Sequence, residues 1–248
     1  MAHKKTALIT GVSGQIGSNL ARVLVEKEIN VIGLDINEPD YEFNDFLFVR
    51  HDANNISEKR SIFDDLSQRF GDIDYLVNNV GISTFDDFEV RTEEDFDQVI
   101  STNLKSVFFD IQNFVRKFDQ SNQSSAKILN IGSIFGTVSS DFRNYTDLNR
   151  KSPECYGASK AGVIQMTKYF AVHLAKRDIS VNCVSPGGIF DPQNPQGEDF
   201  IKNYSHKTPM NRMANVDEIV EVISTILQIK TNYLTGQNII VDGGLTSW

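Results

Sequence analysis

The chain has 248 residues, with 24 Lys plus Arg against 33 Asp plus Glu, a formal net charge of −9 and a pI near 4.9. So acidic a chain offers no basic face to nucleic acid or to an anionic membrane, both of which demand clustered positive charge. Its 40% apolar and 23% charged residues are those of a globular protein with one sizeable core, which excludes disorder.

Taken in chain order, short β-rich apolar runs predict strands at 6–10, 31–35, 47–51, 75–78, 127–131, 180–184 and 238–241. Helical periodicity falls between them at 16–27, 58–70, 93–118, 156–176 and 217–228. This alternation predicts an α/β chain, a Rossmann-like doubly wound sheet of about seven parallel strands with helices on both faces. One domain over residues 1–248 is expected, without linker or repeat. Two connections, near 134–155 and 187–216, are longer than a compact α/β unit needs and are read as substrate loops. Cys155 and Cys183 cannot build a disulfide framework, and no Cys or His spacing suits a metal. No apolar run reaches the length of a membrane span or a signal h-region, so a cytoplasmic location is expected.

The first predicted strand runs into Thr10-Gly11-Val12-Ser13-Gly14-Gln15-Ile16-Gly17 and then a helix. Glycines at 11, 14 and 17 permit a tight turn and let backbone N–H groups and a helix N-terminus approach a pyrophosphate. A glycine turn alone also serves packing; what sharpens the reading is Asp35, closing the second strand 24 residues past Gly11. A carboxylate there accepts hydrogen bonds from the adenosine ribose diol. Asp35, Glu38 and Asp40 would repel a 2′-phosphate, and the glycine turn holds no Arg or Lys to offset them, which points to NAD rather than NADP.

Tyr156 and Lys160 stand at i and i+4 on one helical face. Interconverting a carbonyl and an alcohol needs a group that exchanges a proton with oxygen while hydride moves at carbon. A tyrosine serves if its pKa drops from ~10 toward neutrality, which requires about 4 kcal/mol from neighbouring positive charge. A nearby ammonium and an oxidised nicotinamide together have that order of effect. The pair gains weight from its place directly after the fifth strand and its loop.

Together with Asn78-Asn79-Val80-Gly81, Asn103 in Ser101-Thr102-Asn103-Leu104, Ser133 in Ile131-Gly132-Ser133, Ser185-Pro186-Gly187 and the ending Thr235-Gly236-Gln237…Val241-Asp242-Gly243-Gly244, these motifs resemble the classical short-chain dehydrogenase/reductase superfamily from Thr6 to Gly244. The resemblance implies Tyr156 as acid/base, Ser133 as the group orienting the reacting oxygen, Lys160 as the residue that lowers the tyrosine pKa and holds the nicotinamide ribose, and Asn103 as the holder of a relay water. It assigns the cofactor to Gly11, Ser13, Gln15, Ile16 and Gly17 of the turn, to Asp35 and Ile36, to Asp52 and Ala53 beside the adenine, to Asn79, Val80 and Gly81 along the adenosine, and to Pro186, Gly187 and Ile189 at the nicotinamide, beside Tyr156 and Lys160. A homotetramer or dimer, with the long helices and the last strand at its interfaces, is also implied.

The pattern departs from the family at three places. Gln15 replaces the usual middle glycine, Asp191 replaces a hydroxyl residue, and 136–154 carries an insertion. Arg143, Tyr145, Arg150 and Lys151 of that insertion suggest an anionic or polyhydroxylated substrate, contacted by Ser133, Arg143, Tyr156, Gly188 and Phe190. A narrower similarity to oxidoreductases of bacterial flagellin-modification and surface-sugar pathways implies a sugar phosphate or nucleotide sugar. The alternatives are a 3-oxoacyl-acyl-carrier-protein reductase or other small-alcohol dehydrogenase and, from another class, a non-catalytic NAD-sensing regulator.

Overall fold

The computed structural model describes residues 4–146, 151–193 and 196–248. Seven strands, β1 (Thr6–Thr10), β2 (Asn30–Asp35), β3 (Phe46–Arg50), β4 (Tyr75–Asn78), β5 (Ala126–Ile131), β6 (Ile179–Pro186) and β7 (Asn238–Val241), pair in parallel in the order β3-β2-β1-β4-β5-β6-β7. The helices are α1 (Gln15–Glu26), α2 (Ile56–Phe70), α3 (Glu93–Ile100), α4 (Ser106–Asp119), α5 (Glu154–Leu174), α6 (Glu198–Lys207) and α7 (Val216–Gln228).

Side-chain alternation along the strands divides the core. Leu8, Ile32, Leu76, Ile128 and Val181 face α2, α4 and α5, where Phe63, Ile111, Phe114 and Val163 cover them. Their neighbours Ala7, Ile9, Val31, Val77 and Leu129 face α1 and α7, under Leu20, Leu24, Ile219 and Ile223. Both faces are buried, so the strands read as continuous apolar runs. Each fully buried Leu, Ile or Phe contributes roughly 1.5–3 kcal/mol, which fixes the sheet's register. Helix α7 starts with a capping box in which Asn215 and Glu218 serve one another, and Arg212 grips the Glu218 carboxylate at 2.6 and 2.7 Å.

Because β1 pairs with β2 on one side and β4 on the other, the chain reverses direction across the sheet between β1 and β4. The crevice at the carboxyl ends of strands flanking such a switch point is where open α/β sheets receive ligands. The glycine turn after β1 and Asn79-Val80-Gly81 after β4 both end there.

Two features differ from the sequence expectation. The single helix expected over 93–118 is interrupted by a π-helical turn, Ser101–Lys105, between α3 and α4. The long connection after β6 contains α6, which opens on Glu198 and Asp199 and closes on His206 and Lys207, the charge order that suits a helix dipole. Among the described residues, no helix is long and apolar enough to cross a membrane.

Candidate active site

The glycine turn is shaped by close contacts. Gly11 has φ +69, and a Cβ there would stand 2.9 Å from Val80 Cα; a Cβ on Gly17 would lie 2.1 Å from the Gly11 oxygen. Only glycine fits at either place. The Asn79 amide donates to the Thr10 and Gly11 carbonyls at 3.0 and 2.9 Å, and the Thr10 hydroxyl accepts from the Asn79 and Val80 amides, both at 3.1 Å. The N-cap of α1 is Gly14, with no side-chain cap and no acidic residue in the first turn. Its amides therefore point into the crevice as donors for an anion.

A groove of about 1020 Å³ runs from this turn to Asp35, Ile36, Glu38 and Asp40, bordered also by Ser13, Gln15, Ile16, Asn79, Val80 and Gly81. The Asp35 carboxylate accepts from the Ser13 and Asn37 amides, each at 3.0 Å, which fixes it at the rim. These features fit a dinucleotide: a cradle that a Cβ would fill, an uncapped helix N-terminus and an oriented carboxylate. Arg22, further along α1, also borders the groove, and Arg50 donates to the Ile36 carbonyl at 2.7 Å while pairing with Glu38 at 3.5 Å. Cationic groups thus stand close to the acidic edge, although the glycine turn itself has none.

Where the groove ends, α5 delivers Tyr156 and Lys160. The Tyr156 hydroxyl is hydrogen-bonded to Ser133, which counters a pKa raised by burial. Lys160 is 4% exposed, donates to the Ile131 carbonyl at 2.8 Å, and is pushed down to about 8 by burial. Its ammonium lies 5.7 Å from the centre of the Tyr156 ring. Burial thus raises the tyrosine pKa where the sequence reading expects a fall, and the ammonium is engaged by the main chain. Asn103 is fully buried in the π-helical turn. Its side chain accepts from the Ile82 amide at 2.8 Å and donates to the Ile82 carbonyl at 2.9 Å and to Ser159 Oγ at 3.1 Å.

Tyr156 and Ser133 also border a second cavity of about 490 Å³, with Gly187, Gly188, Phe85, Phe135, Tyr145, Phe200, Tyr204 and Met213 around it. The described residues lining it carry no charge. Tyr204, which sequence reasoning missed, accepts from the Gly188 amide at 2.5 Å and is pushed up to about 12 by burial. It stacks on Phe200, which in turn meets Tyr145. A Cβ on Gly188 would meet the Tyr204 ring at 2.8 Å, so the glycine and the tyrosine are matched.

Other expected site residues stand outside the linings of these two cavities. Arg143 is not part of the cavity lining: its guanidinium, highly exposed, binds Asp141 at 2.8 and 2.9 Å. Lys207 also binds Asp141, and the two cations hold that carboxyl well below its usual range. Lys151 pairs with Asp87 at 2.9 Å, and Arg150 lies outside the described residues. The basic character read from the insertion is thus largely neutralised by local acids. Phe190 is turned outward, offering only its carbonyl, which accepts from the Gln15 side chain at 2.8 Å. Gln15, in place of a glycine, ties the turn to the β6 loop. Asp52 folds into a turn by accepting from the Asn54 amide, and neither it nor Ala53 borders the groove. Pro186 ends β6 and Ile189 bridges to Ala214; neither lines the groove or the second cavity.

The family model described as Enoyl-(Acyl carrier protein) reductase matches residues 11–246. The acetoacetyl-CoA reductase of Acinetobacter sp. (strain RA3849) is 32% identical over 99% of both chains. The 3-oxoacyl-acyl-carrier-protein reductase FabG of Staphylococcus aureus (strain Mu50 / ATCC 700699) is 33% identical, again over 99% of both. A short-chain dehydrogenase of Leptospira borgpetersenii serovar Hardjo-bovis (strain JB197), solved with bound NAD+, superposes with a TM-score of 0.92 at 40% identity, covering 98% of this chain and 93% of that one. The chain belongs to the classical short-chain dehydrogenase/reductase superfamily and is an oxidoreductase of that family.

Proposed function

We propose that the enzyme interconverts a ketone and a secondary alcohol with NAD(H), on a small uncharged group of the 3-oxoacyl or 3-hydroxyacyl kind. The observation that carries this is the Tyr156–Ser133 hydroxyl pair at the floor of an uncharged, aromatic cavity with a buried ammonium behind it. The names of the two curated relatives support the acyl class. Neutralisation of Arg143 and Lys151 by Asp141 and Asp87 removes the basis for a sugar-phosphate or nucleotide-sugar substrate.

When bound, the nicotinamide takes up or delivers the hydride. The chain's own residues do the rest. Gly11, Gly17 and the first amides of α1 would hold the pyrophosphate, and Asp35 the adenosine ribose, its carboxylate favouring NAD. Tyr156 holds the proton that the substrate oxygen gains on reduction or loses on oxidation. Ser133 donates to that same oxygen, Lys160 replenishes the tyrosine, and the closely packed Asn103 keeps Lys160 in reach. The substrate loops bring Tyr145, Phe200 and Tyr204 over the cavity and exclude water. Phe108 on α4 and Tyr169 and Val172 on α5 are exposed apolar side chains, which supports association of copies through these helices; sedimentation measures it.

The test is absorbance at 340 nm with NADH or NADPH and a panel of acetoacetyl-CoA, a neutral 3-oxoacyl thioester, hexoses and sugar phosphates. Turnover of 3-oxoacyl thioesters with preference for NADH is expected. Tyr156→Phe should lower kcat by about 10²–10⁴-fold while NADH binding persists. Turnover confined to sugars, or an active Tyr156→Phe enzyme, would overturn the reading.

A further inference from the structure

The π-helical turn Ser101–Lys105 holds one residue more than an α-helical turn would, and turns of this kind persist only where their surroundings retain them. Relaxing it to α-helix would rotate Asn103 by about 100° around the axis and remove its side chain from Ile82 and Ser159. Three contacts oppose that relaxation. Asn103 itself clasps Ile82 and Ser159. Ser106 Oγ donates to the Thr102 carbonyl at 2.6 Å, satisfying an acceptor that the widened turn displaces from the α-helical ladder. The third is Thr102, whose hydroxyl accepts from the Asn54 side-chain amide at 2.8 Å and lies 3.1 Å from its carbonyl oxygen. Thr102 is 4% exposed, and Asn54 belongs to the loop after β3 that leads from Asp35 by way of His51 and Asp52.

We propose that Thr102, through its hydroxyl bond to Asn54, is a positioning residue that retains the π-helical turn and so aims Asn103 at the Lys160 end of the site. Neither residue borders the substrate cavity, and Thr102 acts only through Asn103. Because Asn54 stands on the loop whose His51 amide donates to the Asp35 carbonyl at 2.8 Å, the bond also ties that loop to the turn that holds Asn103. This inference rests on the oxidoreductase reading for its kinetic consequence, but not for its structural one.

The experiment compares Thr102→Val, which keeps the shape and loses the hydroxyl, with Thr102→Ser, which keeps the hydroxyl, and with Asn54→Ala, which removes the partner. Hydrogen exchange of the amides from Ser101 to Val107 is measured in the protein without cofactor, and kcat, KM and the pH profile of kcat are measured with NADH and the best substrate. Thr102→Val and Asn54→Ala should each raise exchange in the turn and lower kcat by about tenfold, as expected for one lost hydrogen bond. KM should stay within about twofold and the pH limb set by the tyrosine and lysine should move, while Thr102→Ser remains close to wild type. Unchanged exchange and pH profile in Thr102→Val would overturn the proposal, as would equal damage in Thr102→Ser, which would assign the effect to packing. If Thr102→Val fails to fold, Asn54→Ala reads the same bond from its other side. Absence of wild-type turnover would sink the 3-oxoacyl reading alone, since the exchange measurement still decides whether the bond holds the turn.

Discussion

Lys160→Met removes an ammonium that is 4% exposed and whose burial brings its pKa from 10.5 to about 8. A base whose pKa is lower in the folded than in the unfolded state is bound by more protons when unfolded, over the whole interval between the two values. Stability from this group therefore rises with pH from about 8 to 10.5, and below 8 a constant penalty remains. At ~1.4 kcal/mol per pH unit the penalty is about 3 kcal/mol. Methionine fills similar space without charge, but leaves the Ile131 carbonyl without the bond it now receives at 2.8 Å, a loss of about 1 kcal/mol. The net gain of about 2 kcal/mol at pH 7 should raise Tm by about 4 to 8 °C. Turnover should be lost.

Thermal melts of both proteins between pH 7 and 10.5 test this, because their difference cancels every other titrating group. The variant should lead at pH 7, and the gap should close as pH rises through 8 to 10.5. A variant that melts at or below wild type at neutral pH, or a gap that does not vary with pH, would refute the argument. Either result would mean that the hydrogen bond and local polarity already compensate the ammonium in full.

Two further variants probe the scaffold. Gly17→Ala places a Cβ 2.1 Å from the Gly11 oxygen and 2.8 Å from Val12 Cα, so α1 must shift off the turn; a stability loss of about 2 kcal/mol and at least ~tenfold weaker NADH binding are expected in melts and fluorescence titration. Lys59 and Asp110 pair at 2.6 Å with 1% and 0% of their side chains exposed, joining α2 to α4. Lys59→Met strands a buried carboxylate and should cost about 3–5 kcal/mol in urea unfolding, whereas Lys59→Met with Asp110→Leu should recover most of that loss.

The sheet was legible because its central strands are buried on both faces and so read as apolar runs, with helical periods between. The glycine turn and Asp35 were legible from their places at strand ends, Tyr156 with Lys160 from their i, i+4 spacing after the fifth strand, and Ser133 through the family resemblance. The π-helical turn was not: one added residue barely disturbs a helical period, and only the buried polar pair Thr102-Asn103 inside an apolar face hinted at it. Helix α6 did carry a signal in its acidic start, basic end and the i, i+4 pair Phe200 and Tyr204, concealed by its position in a long connection. Arg143 misled because a charge count along the chain does not name partners. Asp141 lies two residues before it, but Lys207, which shares that carboxylate, is brought there by folding.

The electrostatics of the free site bear on how one tyrosine serves both directions of a redox reaction. Burial moves the Tyr156 phenol up and the Lys160 ammonium down to about 8, so the lysine becomes the weaker holder of a proton, the reverse of the order in a surface ion pair. A phenol kept protonated at neutral pH is ready to donate to an oxygen that gains charge as a ketone is reduced. Drawing a proton from an alcohol requires further positive charge in the pocket to bring the phenol down, and Ser133 already pulls in that direction. The same desolvation that costs stability at Lys160 thus places the proton source below the phenol in proton affinity. That order favours return of a proton from Lys160 to the tyrosine once the phenol has given its own to the substrate oxygen. A solvated lysine near 10.5 would hold its proton more tightly than an ordinary phenol; burial of the ammonium, which donates to the Ile131 carbonyl at 2.8 Å, removes that advantage.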